Sequence, residues 1–269
     1  MNEEKYSAEI GVFGGSGFYS FGGVAKEVRI NTPYGPPSDA ISIGEIEGTR
    51  VAFLPRHGNK HTLPPHKVNY RANVWAMHSL GVTRIISPAA CGSLQTNIKP
   101  GDFVISDQFV DRTSGRSDTF CDGPSVMHIS TANPYCQELR SIAVDVAREH
   151  GITVHDGGTV VVIQGPRFST KAESKWFSQM GWHVVNMTQY PEAVLAAELG
   201  ICFVNLALVT DYDAGLMGNV QEVTASEVMA VFNRNSQNLK SLIGPLIRNI
   251  PRERIHCRCL EKVSQAIIS

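Results

Sequence analysis

Seven short apolar runs rich in β-branched residues recur along this 269-residue chain, at 10–13, 51–54, 84–87, 103–105, 159–163, 183–185 and 201–209. Runs of that length and composition read as strands buried on both faces. Between them apolar residues fall at helical spacing: Val68, Ala72, Trp75, Ala76 and Leu80, then Leu139, Ile142, Ala143, Val146 and Ala147. Pro191 suits the first turn of another helix and Gly200 its end. Thr224 and Glu227 form a capping-box pattern that opens a C-terminal helix ahead of Val228, Val231 and Phe232. Strands alternating with helices imply an α/β protein with a largely buried sheet.

At 42% hydrophobic and 18% charged content the chain can bury one substantial core, so we expect one domain over 1–269. The 24 Lys plus Arg balance 25 Asp plus Glu, leaving no field to attract nucleic acid or an anionic membrane. The expected partner is a small molecule. No run reaches the ~18 apolar residues of a membrane span, and residues 1–6 are polar where a signal peptide is apolar; a cytoplasmic setting is expected. The loop at 32–38 and a longer excursion at 115–125 do not divide the chain.

Six segments carry chemistry. Gly14-Gly15-Ser16-Gly17 follows the first strand, where glycines can turn N–H groups toward an anion, although such turns serve packing as often. It is neither the GxGxxG fingerprint nor a phosphate loop. Arg56-His57-Gly58 places a guanidinium fork and an imidazole at a strand's C-terminal end, where open α/β sheets bind ligands. His57, His61 and His66 raise the question of zinc, which Gly58, Pro64 and Pro65 oppose by breaking the helix that would gather them. Residues 87–93 are small, permitting either tight packing or close backbone approach to a ligand. Residues 165–169 bring Phe168 where a flat base could stack, or simply into the core. Residues 186–192 set Met187 and Thr188 at a helix start, which favours anions. Thr210-Asp211-Tyr212-Asp213 ends the longest strand with two acids, either solvated or desolvated enough to donate a proton near neutral pH.

Taken in order over nearly the whole chain, GGSG at 14–17, TPYGPPSDA at 32–40, RHG at 56–58, HKVNYRANVWA at 66–76, ACGSL at 90–94, PGDFVISDQFVDRT at 100–113, GPRFST at 165–170, NMTQYPE at 186–192 and TDYD at 210–213 resemble the trimeric purine nucleoside phosphorylase family, in its methylthioadenosine phosphorylase branch. The resemblance implies a single domain with a central mixed β-sheet flanked by helices. It implies phosphorolysis of 5′-methylthioadenosine, with 6-oxopurine nucleosides the alternative substrates. Inorganic phosphate would be a co-substrate, with neither metal nor organic cofactor. Phosphate would be held by Ser16, Arg56, His57, Ala89, Ala90 and Thr188. Met187 would lie against the sugar, and Phe168, Ser169, Asp211, Tyr212 and Asp213 around the base. Ser16 and Ala89 stand where part of the family has Thr; a serine still donates, and a backbone N–H needs no particular side chain.

By the same resemblance Asp211, if protonated, donates to purine N7 and accepts from the 6-amino group, with Asp213 as electrostatic partner. The resemblance also implies a homotrimer or homohexamer in which His128, on the segment 126–129, reaches a neighbour's site. The six cysteines show no CxxC pair that suggests zinc. Cys257 and Cys259 are close enough to form a disulfide in a hyperthermophile and are expected reduced in an ordinary cytosol.

Overall fold

The structure, a computed structural model, describes residues 6–15, 26–124, 126–214 and 224–268. Ser16 therefore lies outside the described residues, as do the side chains of Glu227, Val228 and Phe232. The strands and helices in chain order are β1 (Ile10–Gly14), β2 (Lys26–Val28), β3 (Ile41–Ile46), β4 (Thr49–Pro55), α1 (Tyr70–Ser79), β5 (Arg84–Ser93), β6 (Phe103–Ile105), β7 (Gln108–Arg112) and β8 (Val126–Met127). There follow α2 (Gln137–Glu149), β9 (Val154–Asp156), β10 (Thr159–Ile163), α3 (Lys171–Gln179), β11 (Val184–Asn186), α4 (Gln189–Glu198), β12 (Cys202–Asp211), α5 (Ala225–Asn249), α6 (Cys259–Ala266) and β13 (Ile267–Ile268).

All seven expected strands form, and the expected helices form around the stated positions. Tyr190 keeps extended backbone angles, so regular helix resumes at Pro191, and Gly200 at φ 64° follows the last turn of α4. The strands passed over are edge or short elements such as β3, whose burial alternates instead of running continuously. Helix α3 also went unread. Its N-terminus nevertheless carries a complete capping box, Thr170 with Glu173, of the kind sought at Thr224.

An eleven-stranded mixed sheet runs β2-β3-β4-β1-β5-β11-β10-β7, with β12 joined to β5 and carrying β6 and β9 beyond it. Strand β5 is the hinge of this arrangement. One of its edges is covered by β12 from Arg84 to Gly92, all in parallel. Its other edge meets β1 only at Arg84–Ile86 and β11 only at Gly92 and Ser93. The backbone of residues 87–91 is left without a strand on that side, and there the sheet opens. The run of small residues read as a separate segment is thus the second half of a strand.

Alternation along β1 shows how the layers are held. Phe13 packs into a cluster with Val74, Met77 and Leu195 from α1 and α4, while Ile10 and Val12 enter a second cluster with Leu139, Leu242 and Leu246 from α2 and α5. Both faces of the sheet are therefore covered, which is why β1 is buried at every position. Burial of each large side chain contributes roughly 1.5–3 kcal/mol, so a charge at Val12 would break the sandwich. Among the described residues no helix is long and apolar enough to cross a membrane.

Candidate active site

Arg56 follows β4 directly and its N–H donates to the Gly14 carbonyl at 2.9 Å, which ties the end of β4 to the end of β1. The side chain is 1% exposed and lies against Glu192, which is fully buried. Arg56 Nε donates to Glu192 Oε1 and Nη2 to Oε2 at 3.1 Å. Nη2 also donates to Ser87 Oγ at 2.7 Å, and Ser87 Oγ donates to Glu192 Oε2 at 3.0 Å. Only Nη1 has a weak engagement, 3.3 Å to the Pro88 carbonyl, and it sits beside Gly15, where an added Cβ would approach it to 3.2 Å. The pair is thus pre-oriented with one arm toward the loop end and the open edge of β5.

His57, next in the chain, is buried, and its Nδ1 bonds the Leu63 carbonyl at 2.8 Å. A carbonyl can only accept, so the proton sits on Nδ1 and Nε2 is an acceptor. Burial first, then the Arg56 charge, lowers its pKa from 6.5 to about 4, against the Leu63 bond that raises it. His57 is therefore a neutral imidazole at neutral pH. The His61 ring lies 4.7 Å away, tilted by 31°, but among the described residues the histidines form no cluster of three metal ligands. Thr188 is buried at the N-terminus of α4, and its side chain caps no helix N–H. Ala89 and Ala90 stand on the stretch of β5 that pairs with β12 on one edge and with no strand on the other, among the described residues.

Five residues on from Ser87, Gly92 meets the two acids that end β12. A Cβ there would come within 2.8 Å of Asp211 Oδ1 and 3.2 Å of Asp213 N, so only glycine lets the acids approach. Asp211 Oδ2 accepts from Thr210 Oγ at 2.7 Å and Oδ1 from the Asp213 N–H at 2.7 Å. Asp213, 3% exposed with φ 51°, differs: burial pushes its pKa up, the hydroxyls of Ser174 and Ser169 pulling the other way. Those hydroxyls and Asp213 Oδ2 are near enough to interact electrostatically, yet none reaches hydrogen-bonding geometry. Burial therefore favours the protonated form of Asp213.

These groups line one cavity of about 420 Å³, together with Met187 and Phe168. Met187 Sδ lies where a Cβ on Gly165 (φ 63°) would be 2.6 Å away, so that glycine too is a matter of space and backbone angle. Phe168 is about one-third exposed at the rim. Two expected residues do not line the cavity. Ser169 is buried and acts on Asp213 from behind. Tyr212 is half-buried and does not line the cavity, whereas Asp211 and Asp213 on either side of it do. His128 is exposed on the surface, its N–H bonded to the Ala266 carbonyl, and it does not line its own chain's cavity.

A phosphorylase superfamily model matches residues 9–248, which contain every strand of the eleven-stranded sheet. The chain belongs to the phosphorylase superfamily. An S-methyl-5′-thioadenosine phosphorylase from Thermofilum pendens is 52% identical over 262 residues, covering 97% of this chain and 98% of that one. A purine nucleoside phosphorylase from Streptomyces coelicolor is 49% identical, covering 92% and 91%. The fold of this phosphorylase superposes on a Schistosoma mansoni methylthioadenosine phosphorylase in complex with adenine at a TM-score of 0.91 and 35% identity, over 97% and 99% of the two chains. Within the superfamily it stands in the methylthioadenosine phosphorylase branch, as a pentosyltransferase of the purine nucleoside phosphorylase type.

Ser87, Gln189 and Glu192 each lie inside a segment singled out for its neighbours, and none of them, Glu192 included, carries a role in the sequence alone. For Glu192 the signal was an acid in the first turn of an otherwise apolar helix, which also reads as a favourable dipole contact.

Proposed function

We propose that the chain cleaves 5′-methylthioadenosine with inorganic phosphate, giving adenine and 5-methylthioribose 1-phosphate. The observation that carries this is the span of β5. Ser87, at the Arg56 end, and Gly92, at the acid end, are about 16 Å apart along the strand, enough to seat a phosphate, a sugar and a purine in line. Phosphate lies at Arg56 Nη1, the Gly15 turn with Ser16, the Ala89 and Ala90 backbone, and Thr188. His57, neutral with an acceptor nitrogen, takes a hydrogen bond from a protonated phosphate oxygen. Met187 packs on the sugar and Phe168 on the base.

A phosphate oxygen attacks C1′ as the bond to purine N9 breaks, through an oxocarbenium-like sugar. The electron pair passes into the purine, and N7 takes a proton from the acid pair. Asp211 and Asp213 hold that proton between them and accept from the 6-amino group. The co-substrate is phosphate alone, with no metal and no organic cofactor in the reaction, in the cytoplasm. We assign the active form to a homotrimer or a pair of trimers, with His128 reaching the 5′ end of a neighbour's substrate; an active monomer at assay concentration would refute that part.

Release of base from methylthioadenosine, adenosine and inosine, with and without phosphate, tests the reading. Strict phosphate dependence and methylthioadenosine as best substrate are expected. The relative named purine nucleoside phosphorylase favours a second reading, cleavage of 6-oxopurine nucleosides. Faster turnover of inosine would establish it.

A further inference from the structure

Away from the cavity, the thiols of Cys136, Cys202, Cys257 and Cys259 converge, with all four Sγ atoms within 4.8 Å of one another. All four are free; Cys136 and Cys202 are buried, and Cys257 and Cys259 half-buried. Cys202 Sγ lies 3.3 Å from Cys257 Sγ. Cys257 and Cys259, close in the chain, thus belong to a four-thiol cluster with two distant cysteines.

Contacts that do not involve sulfur bring these residues together. Glu138, in the first turn of α2 just after Cys136, accepts from the N–H groups of Ile255 at 3.2 Å and His256 at 3.0 Å. Arg254 donates to the carbonyls of Gly200 at 2.7 Å and Thr83 at 3.2 Å, beside the start of β12. The tail is therefore clamped to the helix that carries Cys136 and to the strand that carries Cys202. The four-sulfur arrangement is prepared by the surrounding fold.

We infer that this cluster is a structural site for a soft divalent cation, zinc by its chemistry, with the four thiolates as its ligands. Tetrahedral zinc thiolate has bonds near 2.3 Å, which sets sulfurs about 3.8 Å apart, the scale on which these four already lie. Binding exchanges four thiol protons for one Zn²⁺, leaving a complex of net charge −2. Two features offset that charge: Cys136 is the N-cap of α2 and Cys259 the first residue of α6, so two ligands sit at helix N-termini. Cys202 begins the ten-residue strand that ends at Asp211, roughly 30 Å of extended chain away, so the cation pins the tail and takes no part in the cleavage.

The test uses the full chain, prepared under reductant. Zinc is measured by elemental analysis, and cobalt(II) is titrated into metal-free protein while its visible spectrum is followed. One zinc per chain is expected, with one equivalent of cobalt giving the intense ligand-field bands and thiolate charge-transfer of a tetrahedral tetrathiolate. Cys257→Ser combined with Cys259→Ser is expected to abolish stoichiometric binding while phosphorolysis continues, which also reports that the variant folds. The inference is overturned if reduced wild-type chain binds neither metal, if the double variant still binds one equivalent, or if the native chain's mass is short by two or four hydrogens that reduction under denaturing conditions restores, which would mean paired disulfides.

Discussion

Glu192 meets Arg56 across 136 residues of sequence as a two-point pair, both side chains within 1% of full burial, and Ser87 Oγ touches both partners. The pair aims the cation and also neutralises it, so in the proposed reaction phosphate would meet a guanidinium whose own charge is already partly spent. Affinity for the anion then rests on the whole cradle rather than on Arg56 alone.

Glu192→Gln leaves Arg56 buried without its counter-charge. Breaking a buried pair from one side costs about 3–5 kcal/mol, so a clear drop in the denaturation midpoint is expected. Phosphate supplies the missing negative charge and should restore more stability to the variant than to the wild type. Unfolding with and without phosphate measures this; equal shifts in both proteins would show that Arg56 does not face the anion.

His57 makes stability depend on pH. Its folded pKa of about 4 lies below the unfolded 6.5, so the unfolded chain binds more protons between those values. The contribution is fully present above pH 6.5 and is lost as the pH falls toward 4, at most about 3 kcal/mol. His57→Asn should flatten the stability curve in that window. Phosphate should raise the His57 pKa, so binding near pH 5 takes up protons, which calorimetry in buffers of different ionisation heat would register.

Asp211→Asn and Asp213→Asn separate the roles of the acids. Asparagine offers a permanent donor that suits a 6-oxo group and leaves a 6-amino group facing an NH₂. An unpaired buried polar group costs roughly 1–3 kcal/mol, so on the order of ten- to hundredfold loss of preference for methylthioadenosine over inosine is expected at Asp211. Asp213→Asn keeps a neutral group at the buried position and should lower kcat with less change in that ratio. An unchanged ratio in both variants would remove the acids from base reading.

Gly92→Ala places a methyl group 2.8 Å from Asp211 Oδ1 and 3.2 Å from the Asp213 backbone. The backbone contact cannot swing aside, so the acids must shift. Displacements near 1 Å cost about 100-fold in rate when geometry carries catalysis. We expect kcat/KM to fall on that scale while the phosphate KM holds, and parallel losses in both would place Gly92 in general packing instead.

Much of the architecture was legible in the sequence because its signals are local. The seven apolar runs became strands, since a β-branched run is buried on both faces wherever helices cover the sheet, and the motif segments at 56–58, 89–90, 187–188 and 211–213 reached one cavity because strand ends in an α/β sheet gather on one side. What only the tertiary structure decided concerns groups whose partners are distant in the chain. That Glu192 neutralises Arg56, that His57 is a neutral acceptor, that burial favours a proton on Asp213 and that Tyr212 does not line the cavity all follow from desolvation and packing, which no window of sequence contains. The cysteines show the same division: spacing along the chain argued against a thiolate site, while folding brought residues 136, 202, 257 and 259 within 4.8 Å. Ligand geometry is a property of three-dimensional distance, and the clamps at Glu138 and Arg254 that set it join segments over 50 residues apart.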